Sequence, residues 1–418
     1  MKISNLKIIF SAFAFFFILF FKWNDIDPTL FGWARNGLIF LFIILNRKCL
    51  RMLYIPEYKW INVWALLWCI LIIFSAYMNQ DLSYDVSYWD FSSNTIEIES
   101  MSGRKMKNII YFASSIIIFI LYFEYLNKYK AGHIFIKYFF IFLFPYVIIS
   151  DLSALTYNTD GIIYETGTKF DVCYLNIILI TVYIMKKGIY SINVKIDKLI
   201  KFLFVVSFVI SIKTKCTTMI IGTLLFYYLL YRANKNINSL MYKPSFYLIG
   251  LFVFDILFIF IINWVLTIPI VQYIVVDVFN EDLTLTGRTG IYAKLAVVIS
   301  ESPLYGFGWD NSHVTSLMYN VGTNAQNGLL NMYIEIGILG CVFYLTMLSL
   351  LIKKSIHNRT ISYPVICFVY MMLFLSSVEI TYSNYFTPVI ILLVLKYFNT
   401  ASLNVQRYTC MHKSFTIA

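Results

Sequence analysis

The sequence predicts an all-α integral membrane protein, and its composition and the spacing of its apolar residues both support that prediction. Of its 418 residues, 60% are hydrophobic and only 13% are charged, whereas soluble domains are closer to half apolar and a quarter charged. The apolar residues fall in blocks of about 17–22, the length at which a helix crosses a hydrocarbon core of roughly 30 Å. The blocks are continuously apolar and do not alternate, so helices are favoured over a barrel.

Twelve such blocks make residues 1–418 a single polytopic membrane domain. They lie near residues 5–21, 29–45, 60–78, 107–126, 133–151, 172–185, 197–212, 216–231, 244–266, 331–352, 361–378 and 383–398. The first block is followed by Phe21, Lys22 and Trp23 rather than by a small-residue cleavage site, so we interpret it as a retained span. Three long loops remain, at about 79–106, 152–171 and 267–330.

The basic residues are divided unequally between the two sides of these spans. Of the 33 lysines and arginines, nine lie on the side of the three long loops, 23 lie on the other side, and Arg35 lies within a span. Because cytoplasmic loops carry the excess of Lys and Arg, we expect both termini in the cytoplasm and the long loops outside. The formal charge of +11 then reflects topology, and nucleic acid is not an expected partner.

The cysteines and histidines predict neither a metal site nor a cofactor. None of the seven cysteines forms a CxxC pair, most lie in or beside apolar spans, and the four histidines are scattered. Cysteines in such positions usually behave as small buried hydrophobic residues.

The loop at 267–330 is expected to contain short helices and the candidate active site. Six of the 17 glycines lie between Gly287 and Gly328. Loops of this length are usually functional or disordered, and this one is too apolar and aromatic for disorder. A helix is expected from Ile291 to Ser300, with Ile291, Leu295 and Val298 on one face, and Pro303 ends it.

Arg288 is the first candidate residue of this loop. It precedes the predicted helix, where the helix dipole disfavours a cation unless an anion is shared with the free backbone N–H groups. A guanidinium fork suits phosphate oxygens. The alternative is a solvated surface arginine.

Lys213 and Lys215 break the charge pattern, because they lie on the outer side between two apolar spans. They are candidates for binding a lipid phosphate, or they are lysines that reach the interface from a helix end. Trp309, beside Gly306 and Gly308, is a candidate for stacking on sugars or a member of an interfacial aromatic belt. Glu335 enters a span, where a carboxylate is either functional or paired with a neighbouring helix.

The order of these motifs along the chain resembles that of the O-antigen ligase/polymerase superfamily, which includes the Wzy-type polymerases of bacterial surface polysaccharides. The resemblance covers about residues 210–345. It rests on Lys215, on Gly287–Arg288, on Pro303–x–x–Gly306–x–Gly308, and on Asn327 followed by Glu335–x–Gly337–x–x–Gly340. Ligases of this family usually carry a histidine just before the asparagine, where Gln326 stands here, and this departure favours a polymerase. The family's basic residue near the eighth span is often arginine, where Lys215 stands here.

The resemblance implies a glycosyltransferase that joins undecaprenyl-pyrophosphate-linked repeat units of O-antigen or capsule at the periplasmic face of the inner membrane, with a chain-length regulator as a partner. It implies that Arg288, Lys215 and Lys213 hold the pyrophosphate. Glu335, Glu301 and His313 are the alternatives for activating the acceptor hydroxyl. Asn324, Gln326, Asn327 and Trp309 are assigned to substrate binding. The alternative functions are an O-antigen ligase-like transferase and a flippase of lipid-linked oligosaccharides.

Overall fold

The computed structural model describes residues 4–54, 59–90, 95–103, 106–156, 163–188, 196–235, 239–273, 276–277, 288–321, 325–382 and 385–395. Within these ranges the chain is predominantly helical, with sixteen α-helices and two small β-hairpins. The predicted helical character is therefore confirmed, and the hairpins were not predicted.

The helices follow one another along the chain, and their longest non-helical connections fall in the three regions that were predicted as long loops. They are α1 (Asn5–Leu19), α2 (Pro28–Leu45), α3 (Lys59–Met78), α4 (Met106–Lys128), α5 (Gly132–Thr156), α6 (Lys169–Gly188), α7 (Lys198–Lys213), α8 (Thr217–Lys235), α9 (Pro244–Leu251), α10 (Phe258–Val265), α11 (Pro269–Tyr273), α12 (Arg288–Glu301), α13 (Ser312–Met318), α14 (Gly328–Ser355), α15 (Arg359–Leu375) and α16 (Phe386–Ile390).

Six helical segments of the described chain are long and apolar enough to cross a membrane. They are Pro28–Leu45, Lys59–Met78, Met106–Lys128, Gly132–Thr156, Pro244–Ile262 and Gly328–Ser355. The fifth joins α9 to α10 through a π-helical turn at Phe252–Leu257. Helix lies at each of the twelve predicted blocks, but the last is only Phe386–Val394. The number of membrane crossings therefore stays a prediction.

Burial separates a central set of helices from a peripheral set. Every residue of α6 from Asp171 to Met185 is buried, and α6 packs against α5, α7 and α15. In α2, by contrast, only Ile39 and Phe42 are buried. The exposed apolar residues of such a helix suit a face turned toward lipid.

The first two predicted long loops contain the hairpins. Strand β1 (Ser83–Asp90) pairs with β2 (Thr95–Ser102), and β3 (Ile163–Tyr164) pairs with β4 (Gly167–Thr168). The run Thr95–Ile96–Glu97–Ile98–Glu99 alternates polar and apolar residues, which is the period-two pattern of a strand.

One end of the helices, which we call the loop end, carries the α1–α2 connection, the two hairpins, the α7–α8 turn and helices α12 and α13. Hydrogen bonds join these connections: Asn24 N donates to the carbonyl of Glu165 at 2.8 Å, and Lys169 Nζ donates to the carbonyl of Lys215 at 3.4 Å. Strand β1 also contacts α13, and both α12 and α13 contact α14. The loop end carries the candidate site.

Candidate functional site

The helix α14 is interrupted at Gly337, within the Glu–x–Gly–x–x–Gly motif. Gly337 has φ 62° and ψ −172°, a conformation that is essentially restricted to glycine. A break inside an apolar helix frees backbone groups that must be paired within the protein. The partners for these groups come from a second glycine motif, Pro303–x–x–Gly306–x–Gly308.

The turn at residues 303–308 supplies the missing hydrogen bonds. Two of its amides donate to α14, from Phe307 N to the carbonyl of Ile334 at 2.8 Å and from Gly308 N to that of Glu335 at 2.9 Å. In return, Ile338 N donates to the carbonyl of Pro303 at 2.9 Å. The two motifs are thus one structural unit, in which the loop and the broken helix complete each other.

Helix α3 holds the same turn from the other side. Ser75 Oγ donates to the carbonyl of Tyr305 at 2.5 Å, and Asn79 Nδ2 donates to that of Gly306 at 3.1 Å. Ser75 lies in the last turn of α3 and Asn79 directly follows the helix, four residues later, so both side chains face the turn. The turn is anchored at several points along its backbone.

The close approach of the two motifs predicts that Gly337→Ala destabilises the protein. A Cβ at Gly337 would lie 2.3 Å from the carbonyl carbon of Leu304, and the backbone conformation alone costs a non-glycine residue roughly 1–3 kcal/mol. We expect a clearly lowered melting temperature in detergent. Gly37→Ala in α2 is the control, since nothing lies within 4 Å of that site. Equal melting of the two variants would contradict this packing.

A small apolar core orders the loop behind the turn. Leu295 and Val298 of α12 are buried against Phe307 and Ile334, with Ile291 packed alongside. These are the apolar positions that the sequence analysis placed on one face of the short helix, and α12 ends at Glu301 just before Pro303. The predicted loop helix is therefore present.

A cavity of about 210 Å³ opens at the loop end beside the broken helix. It lies where α6 and α14 begin and where α15 ends. Four carboxylates line it, from Asp171, Asp310, Glu335 and Glu379, and three aromatic side chains line it, from Phe170, Tyr174 and Tyr385. We call it the acidic cavity.

The side chain of Glu335 is held in a fixed orientation at the acidic cavity. It is 6% exposed, and its Oε1 accepts a hydrogen bond from Asn331 Nδ2 at 3.0 Å. Asn331 lies one turn earlier on α14, so the helix itself fixes this pair. The bond orients the carboxylate at the point where the helix is interrupted.

The other carboxylates occupy different environments. Asp171 pairs with Lys22 Nζ at 3.0 Å and accepts from Thr168 N at 2.9 Å. Glu379 is buried, whereas Asp310 is exposed at the rim. Grouped carboxylates favour a ligand that donates hydrogen bonds and oppose a phosphate. Among the described residues, no group of three or more His, Cys, Asp or Glu is placed to hold a metal ion.

Two of the predicted cations, Lys213 and Lys215, do not line the acidic cavity. Lys213 and Lys215 are exposed where α7 meets α8, and Lys215 has φ 50°. Arg288 is the first residue of α12, as the sequence analysis expected, but its side chain lies outside the described residues. The two alternative bases, Glu301 and His313, are exposed and do not line the cavity.

Three of the predicted substrate-binding residues have structural contacts. Trp309 is buried and stacks on Phe112, with ring centroids 5.4 Å apart. Asn327 caps α14, since its Oδ1 accepts from Leu330 N at 3.0 Å. The carbonyl of Gln326 accepts from Tyr292 OH at 3.1 Å. Asn324 lies outside the described residues.

Asp171, Asp310 and Glu379 were not predicted as site residues. Asp171 begins an apolar block, and Glu379 follows another. Counting the blocks places both on the side of the large loop, so a search for carboxylates at the outer ends of spans would have grouped them with Glu335.

Asp255 is a further carboxylate within an apolar block of the sequence. It is fully buried in the π-helical turn between α9 and α10. Its carbonyl accepts from Asn327 Nδ2 at 3.1 Å, which ties that turn to the start of α14.

Comparisons with protein-family models, with curated proteins and with solved structures found no match.

Proposed function

We propose that the chain is a bacterial surface polysaccharide polymerase that joins undecaprenyl-pyrophosphate-linked repeat units at the outer face of the cytoplasmic membrane. The observation that supports this most is the acidic cavity, which lies beside the unit formed by the two glycine motifs. In this proposal the chain crosses the membrane twelve times, with both termini in the cytoplasm. Its partners are membrane lipids and a chain-length regulator.

The lining of the acidic cavity suits a sugar. Carboxylate oxygens accept hydrogen bonds from hydroxyl groups, and bonds to an ionised acceptor are stronger than neutral ones. Phe170, Tyr174 and Tyr385 offer apolar ring surface to the C–H face of a pyranose. We assign the cavity to the terminal sugar of the acceptor unit.

Glu335 acts as the general base in this proposal. The acceptor hydroxyl gives its proton to the carboxylate while its oxygen attacks the anomeric carbon of the donor glycan. The bond between that carbon and the pyrophosphate oxygen breaks, and the lipid pyrophosphate leaves with the electron pair. Asn331 holds the carboxylate in place at 3.0 Å.

The leaving pyrophosphate needs positive charge, which we assign to Arg288 with assistance from Lys215 and Lys213. Fixed cations stabilise charge that develops in the transition state. The carboxylates of the acidic cavity oppose a phosphate, so the sugar and the pyrophosphate occupy different subsites. This separation keeps the carboxylates of the acidic cavity away from the pyrophosphate of the donor.

A flippase for lipid-linked oligosaccharides is the second candidate, because α14 is a broken helix next to carboxylates. Interrupted helices beside ionisable residues form substrate and ion sites in many transporters. An O-antigen ligase-like transferase would use the same groups with a different acceptor. The three functions differ in what the cell accumulates without the protein.

The experiment is to delete the gene in its host and to separate the surface polysaccharide by size on a gel. A polymerase predicts that only single repeat units remain and that the wild-type gene restores long chains. Unchanged chain length, or loss of the single-unit band, would contradict the polymerase. Loss of that band favours the flippase, whereas long chains that stay lipid-linked favour the ligase.

A further inference from the structure

Two buried cysteines meet at the loop end. Cys173 lies near the start of α6, and Cys216 directly precedes α8. Their side chains are 0% and 1% exposed, and their thiols hydrogen-bond to each other. Both cysteines are free in the structure, so the two sulfur atoms are neighbours that are not joined by a covalent bond.

The end of α7 fixes the position of Cys216. Its backbone N donates to the carbonyl of Ser211 at 2.9 Å. Lys215, whose φ is 50°, donates from its backbone N to the carbonyl of Ile212 at 3.0 Å. These two bonds around a left-handed residue form a Schellman motif, a common way to end a helix. The motif turns the chain back, so Cys216 lies beside the last turn of α7.

The same turn of α7 holds the thiol of Cys173. Ser211 Oγ donates to Cys173 Sγ at 3.7 Å, and Thr214 Oγ1 lies 3.5 Å from that sulfur. One short segment therefore offers Cys173 three neighbours, at Ser211, Thr214 and Cys216. Helix α6 packs against α7, so both the helix packing and the Schellman motif bring the two thiols together.

The other described cysteines have different surroundings. The thiol of Cys69 donates to the carbonyl of Ala113 at 3.5 Å. Cys49, Cys341 and Cys367 are buried, and none of them bonds to a second cysteine within the part of the chain that the structure describes. Of the described cysteines, Cys173 and Cys216 are therefore the pair that is arranged for a covalent link.

The predicted topology places this pair on the outer side of the membrane. Cys173 lies at the beginning of the apolar block at 172–185, and Cys216 begins the block at 216–231. Both blocks begin on the side of the three long loops. Disulfides form and persist in oxidising environments outside the cytoplasm, so two thiols in contact on that side are expected to be oxidised.

We propose that Cys173 and Cys216 form a disulfide that joins α6 to the α7–α8 turn. The oxidant is the disulfide of a thiol oxidoreductase at the outer face. One cysteine thiolate attacks that disulfide, which gives a mixed disulfide and releases one thiol of the oxidant. The second thiolate attacks the mixed disulfide, forms the bond between the two cysteines and releases the other thiol. Two electrons and two protons pass to the oxidant. Because both sulfurs are buried in the folded chain, the exchange takes place during folding.

The disulfide fixes one wall of the acidic cavity. Phe170, Asp171 and Tyr174 line that cavity from the start of α6. Lys169 Nζ donates to the carbonyl of Lys215 at 3.4 Å, and the disulfide adds a covalent link next to this bond. The lining of the cavity is then held in place relative to the α7–α8 turn. The disulfide depends on the outer placement of the loop end and not on the polymerase reaction.

The test counts free thiols in the full chain. Cells are quenched in acid, which stops thiol exchange, and the denatured protein reacts with a maleimide polymer that adds a fixed mass to each free thiol. We expect five modified thiols before reduction and all seven cysteines after it. Peptide mass spectrometry should show Cys173 linked to Cys216. Seven modified thiols before reduction, or a disulfide between two other cysteines, would overturn the proposal.

Single substitutions check the pairing. Cys173→Ala and Cys216→Ala should each leave six cysteines that all react before reduction, because removal of one partner leaves the other as a free thiol. Cys69→Ala is the control, since Cys69 is buried in α3 and its loss should leave two thiols blocked. Thiols are counted in denatured protein, so the result does not require a folded variant. Two blocked thiols in Cys173→Ala would contradict the pairing.

Discussion

Cells that carry Glu335→Gln are expected to make single repeat units and no long chains, although the protein is present at a normal level. Glutamine has nearly the shape of glutamate and can still bond to Asn331, but it cannot take the proton of the acceptor hydroxyl. General-base catalysis typically contributes about 10²–10⁴-fold to a rate. The measurement is the size distribution of surface polysaccharide in a deletion strain that expresses the variant.

Two further variants separate Glu335 from the other candidate bases. Glu301 is exposed at the end of α12, beside Tyr319, whose phenol pKa is raised by burial and by the Glu301 carboxylate. We expect Glu301→Gln and His313→Gln to make long chains, because neither residue lines the acidic cavity. Normal chains with Glu335→Gln and none with His313→Gln would transfer the role of base to His313.

Arg288→Ala is expected to reduce polymerisation by about 10²–10³-fold, the typical cost of removing one fixed donor from a site that stabilises developing charge. Arg288→Lys should retain part of the activity, because a lysine keeps the charge but loses the planar fork. The measurement is the initial rate of chain growth in membranes that contain equal amounts of each variant.

Lys294→Ala is the matched control for Arg288. Lys294 lies on the same helix and donates to the carbonyl of Asn320 at 2.7 Å, so its removal tests the loss of a charge from α12 without touching the proposed anion site. Equal activity of Arg288→Ala and Lys294→Ala would show that Arg288 is a surface arginine, the alternative that the sequence left open.

The positions of the helices could be predicted because continuous apolar length is a strong signal. Helix α12 could also be predicted, since Pro303 ends it and Leu295 and Val298 share its buried face. The hairpin at Ser83–Ser102 was overlooked because a short alternating pattern is weak beside long apolar blocks. The break at Gly337 was not predicted, since a single glycine in an apolar helix does not by itself indicate one.

The candidate site could be predicted only in part because it is assembled from distant segments. Glu335 stood out by itself as a carboxylate entering an apolar block. Asp171 and Glu379 lie just outside blocks, where carboxylates are common, and only the packing of α6, α14 and α15 brings them to the same cavity as Glu335. Trp309 and Asn327 were assigned to substrate binding, and that assignment stays a prediction. The stack of Trp309 on Phe112 and the bond from Asn327 Nδ2 to the carbonyl of Asp255 could not be predicted, because both partners are far away in sequence.

The most direct measurement places the purified full chain in liposomes together with its host's lipid pyrophosphate that carries a single repeat unit. The lipid-linked products are then analysed by mass spectrometry. A polymerase with Glu335 as base predicts glycans of two, three and more units, with one lipid pyrophosphate released for every new bond. Glu335→Gln should give neither product. Intact substrate with the folded wild type, or lipid pyrophosphate released without any longer glycan, would contradict the proposed function.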